Sequence, residues 1–425
     1  MNFLEQLTYN LGPGEDYENA QEFAFSELAV RIIAFYLPQF HPIPENDKWW
    51  GKGFTEWTNV TRALPRFSGH YQPHLPGELG FYDLRLPDAL RAQAKLARQF
   101  GIYGFCFHYY WFGGRKLLET PLKNLLSNPD IDIPFCINWA NESWSRRWDG
   151  SESDILMEQR HSEDDDFAFA SALEPIVRDP RYIRVGDRPL IMVYRPRIMP
   201  DAAATVRRWR EQFKLLRLPD PYIVMAQAFY EEDPRPFGMD AAAGFPPHRW
   251  WHLAAADNGA IQLFTNGYRG RRLSYDELAQ SAAEFDPTEY TQFPGVCPSW
   301  DNEARKPNRG ISFVGATPRR YGAWLDNACR KALRRQHPDE RLVFVNAWNE
   351  WAEGTHLEPD RHLGYAYLNE TARVLSNLTS AGSKVESAHS VRQSNSHSAI
   401  KQLIRKVAKR VAMVLEWFAM ILRSM

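Results

Sequence analysis

Short apolar runs alternate with helical stretches along this chain, and that alternation limits the possible folds more than any other feature. Runs of the kind that form fully buried strands occupy residues 31–37, 102–110, 133–139, 189–194, 222–226, 240–245, 295–300 and 342–345. Between them, residues 87–100, 121–126, 163–177, 201–216, 274–285, 318–334 and 362–375 carry apolar positions at helical spacing. Strands that alternate with helices imply a parallel sheet with crossover connections. About eight such units point to a closed (β/α)8 TIM-type barrel, whose site forms where the strands end. The alternative is an open doubly wound sheet, but no G-x-G-x-x-G follows the first strand.

The polar and aromatic clusters follow the strand runs, as a barrel of this kind requires. The first βα connection is long, reaching about residue 82, and is rich in Trp, His, Pro and Gly, which speaks for function rather than disorder. Residues 1–30 read as an acidic, partly helical lead-in, and residues 31–378 as the catalytic barrel. The small polar residues of 379–398 read as a flexible linker. Residues 399–425 read as a basic amphipathic helix with Trp417 and Phe418 on board. That helix suits an in-plane membrane anchor, or docking on the barrel or on a partner protein.

Composition narrows the function. Hydrophobic residues make up 44% of the 425 and charged residues 24%, enough for a large core, and a net charge of -1 argues against a general nucleic-acid binder. Fifteen Trp suit either a large core or the stacking of sugar rings, whose C–H faces lie on indoles while their hydroxyls seek hydrogen bonds. Cys106, Cys136, Cys297 and Cys329 have no C-x-x-C spacing and read as free, buried thiols of a reducing compartment. The first 23 residues lack a basic n-region and an apolar h-region, and no run approaches the roughly 20 apolar residues of a spanning helix. The expected location is cytoplasmic, with peripheral contact at the inner membrane face through residues 399–425.

The last strand run leads straight into the richest cluster, RLVFVNAWNEWAEGTHLE at 341–358. Glu350 and Glu353 stand there among Trp348, Trp351 and Gly354. Carboxyl groups among indoles are costly unless paired or functional. Two carboxyls near one pocket can be driven to different proton affinities, one serving as acid and one as base, the arrangement of enzymes that act on glycosidic bonds. An E-x-x-E spacing also arises by chance on solvated helices. His41, His108, Asn141, Glu142, Arg195, Gln227, His248, Asp301 and Asn346 follow strand runs and are candidates to hold sugar hydroxyls, with a satisfied structural role as the alternative for each. Trp50, Trp57, Tyr109, Trp139, Trp250 and Trp348 are candidate stacking platforms, with core packing as the alternative. No His/Asp/Glu set has tight metal spacing, so neither metal nor cofactor is expected. Phosphate-loop and G-x-S-x-G motifs are absent.

The segments AFYLPQFHPIPENDKWWGKGFTEWTNV (34–60) and NAWNEWAEGTHLEP (346–359) resemble the WbsX family of polysaccharide-biosynthesis proteins. Those proteins are often called glycosyltransferases, and their domain is similar to endo-α-mannosidases of glycoside hydrolase family 99. The likeness covers about residues 31–376. It implies a (β/α) barrel that acts on a mannose-like glycoside in surface polysaccharide or lipopolysaccharide metabolism. By that likeness Glu350 is the base that takes a proton from the sugar 2-hydroxyl, giving an anhydro-sugar intermediate. Glu353 is then the acid that protonates the leaving oxygen and later the base that activates water or an acceptor. The alternatives are a nucleotide-sugar-dependent glycosyltransferase, for which the sequence carries no diphosphate motif, and a non-catalytic glycan-binding barrel.

Overall fold

Nine parallel strand segments form the barrel wall: β1 (Arg31–Tyr36), β2 (Ile102–Phe112), β3 (Phe135–Trp139), β4 (Arg188–Val193), β5 (Tyr222–Gln227), β6 (Ala241–Gly244), β7 (Thr291–Phe293), β8 (Gly295–Val296) and β9 (Leu342–Val345). They belong to a computed structural model that describes residues 1–385 except 26, 147–150, 231–232, 253, 255, 258 and 260. The order around the wall is β7-β6-β5-β4-β3-β2-β1-β9-β8. Residues of β3, β5, β6 and β9 are buried throughout, because one face of each strand looks into the barrel and the other into its helical jacket.

The ring closes through a single broken stave. β7 pairs with β6, β8 pairs with β9, and only Pro294 separates the two segments. Proline has no N–H for the ladder, but the Pro294 carbonyl still accepts from Phe344 N–H at 2.9 Å. The sequence pattern places the seventh strand at 295–300. The structure starts it at Thr291 and ends it at Val296, since the proline that looks like a boundary is an internal break. Two glycines make the closure possible. A Cβ on Gly295 would lie 2.1 Å from the Gly244 carbonyl oxygen, and one on Gly244 would lie 2.7 Å from Gly295 N.

The helices fall where the pattern puts them. Pro87–Gln99 has proline in its first turn and turns Leu90, Ala94, Leu96 and Ala97 inward. Ala202–Leu215, Tyr275–Glu284 and Pro318–Leu333 follow β5's predecessor, β6 and β8 in the same manner, each capped by an Asp, Ser or Thr side chain. Met1–Thr379 is one compact unit. The last described helix, Ala366–Val385, runs seven residues into the stretch expected as linker, 379–398, because extending a nucleated helix costs little. The rest of that stretch and the expected basic helix at 399–425 lie outside the described residues. Among the described residues, no helix is long and apolar enough to cross a membrane. All four cysteines are free and buried.

Gly295→Ala drives a methyl group into the neighbouring backbone. It should destabilise the barrel by about 1–3 kcal/mol, as overpacking does, read as a lower urea midpoint at unchanged slope. An unchanged midpoint would mean that the two glycines do not touch.

Candidate active site

The chain beyond β9 doubles back on itself. Asn349–Glu350 pairs antiparallel with Thr355–His356, and a 3-10 turn over Trp351–Glu353 joins them. Gly354 ends that turn with φ 59 and ψ 27, the left-handed region that glycine enters freely. A Cβ there would also lie 2.9 Å from Asp301. Asp301 N–H donates to the Glu353 carbonyl at 2.7 Å, and Ser299 Oγ donates to the Gly354 carbonyl at 2.5 Å. The loop after β9 is thereby fastened to the loop after β8. The latter continues through a 3-10 turn, Asn302–Ala304, that Asp301 caps, and delivers Arg305 to the glutamates.

Arg305 is the hub. Its Nε meets Glu56 Oε1 at 2.7 Å, Nη2 meets Glu350 Oε2 at 2.8 Å, and Nη1 meets Glu353 Oε1 at 2.5 Å. One buried guanidinium cannot neutralise three carboxylates, so a proton is drawn onto the group. Burial pushes the Glu350 carboxyl up to about 8; Arg305 opposes this, and the charges of Glu353 and Glu56 add to it. Burial also raises Glu353, again against Arg305. The two titrate as a pair. The pair therefore retains a proton near neutral pH while one carboxylate stays free, the state that acid–base catalysis requires.

His108 stands beside the pair, with Nε2 3.9 Å from Glu350 Oε1. The Asn138 amide donates to His108 Nδ1 at 3.2 Å, which leaves the ring proton on Nε2, facing the carboxylate. Burial, then Arg305 and His248, lowers its pKa to about 3. Burial likewise lowers His248 to about 4. Both rings are neutral hydrogen-bonding groups at pH 7.

These side chains share a cavity of about 320 Å³, lined also by Gln39, Trp49, Trp50, Tyr110, Glu142, Trp144, Tyr194, Trp251, Trp300, Asn302, Lys306 and Asn346. Of the residues singled out from sequence, Glu350, Glu353, Trp50, His108, Glu142, His248 and Asn346 line it. The others sit behind it or elsewhere. Arg195 ion-pairs with Glu142 at 2.5 Å and stacks on Phe229. Asn141 exchanges hydrogen bonds with the Arg195 backbone, both at 2.8 Å, and so holds that wall. Gln227 contacts Tyr290 and Gln292. His41 is buried on its neighbour's carbonyl. Trp57 gives its N–H to the Tyr82 carbonyl. Trp139 packs on Phe169 and Trp209, Tyr109 on Phe169, Trp250 on Phe285, and Trp348 on Phe105. Asp301 turns away to His70 in a second cavity.

Sequence reasoning did not single out Arg305 or Glu56, nor Trp144, Trp251 and Trp300 as platforms. A signal for Arg305 existed, since two acids buried among indoles demand a cation and Arg305 follows a strand run. Among the described residues, one set lies close enough together for a metal, namely His74, His356 and Asp360, and it is in the second cavity.

A family model described as "Glycosyltransferase WbsX" matches residues 32–371. "Uncharacterized protein WxcX" of Xanthomonas campestris pv. campestris (strain ATCC 33913) is 46% identical over 358 residues, 84% of this chain and 51% of that protein. The protein of the same name from strain B100 matches equally, so the chain spans about half the length of the curated relatives it matches. Among solved structures, a "Glycoside hydrolase-like protein" superposes with a TM-score of 0.54 at 15% identity, covering 86% of this chain and 99% of that one. The GH99 endo-alpha-mannosidase from Bacteroides thetaiotaomicron gives 0.52 at 16%, covering 83% and 98%. At such identities the likeness speaks for the fold alone, a (β/α) barrel of TIM type. With four-fifths of its length matched by the family model and a relative 46% identical, the chain belongs to the WbsX glycosyltransferase family.

Proposed function

We propose that this protein is a carbohydrate-active enzyme that cleaves or transfers a mannose-like glycosyl unit of a surface polysaccharide or lipopolysaccharide, with Glu350 and Glu353 as its acid–base pair. The observation that carries the reading is the pair itself: two buried carboxyls on one guanidinium, with raised proton affinities, in a cavity walled by indoles. The family and the barrel support the substrate class.

Glu350, as carboxylate, takes the proton of the sugar 2-hydroxyl, whose oxygen attacks the anomeric carbon. The glycosidic bond breaks as Glu353 gives its proton to the leaving oxygen, and an anhydro sugar remains. Glu353 then takes a proton from water or an acceptor hydroxyl, whose oxygen opens the anhydro ring. Glu350 returns its proton to the 2-oxygen. The route needs the shared proton on Glu353 when the substrate reacts, yet in the empty cavity Glu350 holds a proton strongly. A sugar hydroxyl that donates to Glu350 stabilises its carboxylate and moves the proton across. Neutral His108 and the Asn346 side chain stand at the cavity wall to hold further hydroxyls.

Transfer to a sugar instead of water is the second reading, favoured by the family's description. Incubation with mannan oligosaccharides and with nucleotide-sugar donors in parallel, followed by mass analysis of products, separates the two. With either substrate, Glu350→Gln and Glu353→Gln should each lower turnover by about 10²-fold or more. Unchanged turnover in both would remove the assignment.

Two pH effects follow. Activity should fall as pH rises through about 8, where the pair loses its last proton. Arg305→Met removes the charge that lowers both carboxyls, so in kcat/KM profiles its alkaline limb should move to higher pH. Stability carries the opposite signature to that of an ordinary paired carboxylate. The folded Glu350 binds its proton more tightly than the unfolded one, so stability declines as pH climbs from its ordinary value of 4.5 to about 8. That decline should be shallower in Glu350→Gln, measured by urea unfolding across this range; an identical slope would mean that the raised affinity is not real.

A further inference from the structure

The second cavity, about 240 Å³, lies on the far side of the Glu353–Gly354 turn and holds four of the chain's 12 histidines: His70, His74, His356 and His362. We infer that His74, His356 and Asp360 form a binding site for a divalent transition-metal cation of the Zn2+ class, which fastens the return strand beneath the glutamates. This goes beyond the function proposed above and does not depend on it.

The donor atoms are close and aimed at one point. His74 Nδ1 is 3.0 Å from His356 Nε2, Asp360 Oδ2 is 3.7 Å from His356 Nε2, and all three lie within 4.8 Å of one another. Ligands about 2.0–2.2 Å from a tetrahedral ion stand roughly 3.3 Å apart, a spacing these distances bracket. All three residues are buried. Two imidazole nitrogens and one carboxylate oxygen suit Zn2+ and its neighbours, not Ca2+ or Mg2+.

The tautomer of His356 turns a lone pair toward the centre of the group. His356 Nδ1 lies 2.9 Å from the Glu358 carbonyl, which can only accept, so a neutral His356 carries its proton there. Its Nε2 is then a lone pair that faces the Asp360 carboxylate with no proton between them. Tyr71 also faces Asp360, but among the described residues no Lys or Arg pairs with it. A cation at the centre would satisfy both rings and the carboxylate together.

The supports are already in place. Asp360 Oδ1 accepts the backbone N–H groups of His362 and Leu363 at 2.9 and 2.5 Å. The His356 ring stacks on Trp351 with centroids 3.7 Å apart, and the His74 ring packs on Tyr71 at 4.0 Å. Ligands so held need little ordering when the ion arrives. Exposed Asp16 and Gly315 on the cavity lining give the ion a way in, and the cavity has room for a water as its fourth ligand. His356 is the ladder partner of Asn349, so a metal there tethers the strand that presents Glu350.

Untagged full-length protein, stripped with chelator and dialysed against Zn2+, should retain one Zn2+ per chain by mass spectrometry and melt at a higher temperature than the stripped form. His74→Gln and Asp360→Asn should each bind at least tenfold more weakly, while His337→Gln, an exposed histidine, should bind as wild type does. A Co2+ titration of the unmutated protein should give the visible absorption of a four- or five-coordinate ion, a readout that survives if a variant fails to fold. Wild-type protein that retains no Zn2+ and gives no Co2+ band, or binding that persists in a folded His74→Gln, would overturn the site. Metal content is read without turnover, so its failure leaves the glutamate pair untouched.

Discussion

Everything in the candidate active site depends on one guanidinium that holds three carboxylates. Arg305 reaches Glu56, Glu350 and Glu353 with three different nitrogens, a division of labour that only a planar fork of donors allows. Were the charge missing, two or three carboxyls would be stranded among indoles, at a cost of about 3–5 kcal/mol for each broken pair. Burial and the surplus of acid over base together draw a proton onto the pair near neutral pH. The imbalance keeps one glutamate protonated and another ionised, and it is the fold that enforces it.

The fold enforces it through neighbouring loops. Strands β8 and β9 are adjacent in the wall, so the chain segments that leave them emerge side by side. The Asp301 N–H to Glu353 carbonyl bond and the close seat of Gly354 on Asp301 then lock the segments together. Glu56 comes from the long connection after β1, whose other neighbour in the wall is β9. Three carboxylates and one arginine from three connections thus meet because β8, β9 and β1 are consecutive staves. The broken strand at Pro294 is part of the same arrangement: it lets β7 follow β6 while β8 turns to β9, closing the ring at the place where the site is built.

Much of this was legible in the sequence, and the gaps have a physical cause. Alternating apolar and helical runs report burial and periodicity, which are local, so the barrel could be read directly. The glutamates could be read because polar groups next to a buried strand violate a local rule. Arg305 broke no local rule; its partners Glu56 and Glu350 lie 249 and 45 residues away. The same holds for His74, 282 residues from His356, and it explains why spacing gave no hint of a metal group. Direction was the other blind spot. Trp250 and Trp251 are adjacent and indistinguishable in type, yet Trp250 is buried against Phe285 while Trp251 lines the cavity. Trp139 and Trp57 went the way of Trp250, into packing. A cluster after a strand locates the site; which member points into it is decided by backbone turns that composition does not encode.

The electrostatics of the cavity also bear on what enters it. Arg305 is committed to the three carboxylates, and Arg195 is committed to Glu142. Lys306 is the further cation on the lining. A nucleotide diphosphate would bring its charges to a wall that already carries more acid than base, and would compete with the three carboxylates for Arg305. A neutral saccharide meets no such penalty, and its hydroxyls find neutral His108 and His248 with indoles at their flanks. Under the function proposed above, the balance of charge therefore favours an uncharged saccharide in this cavity.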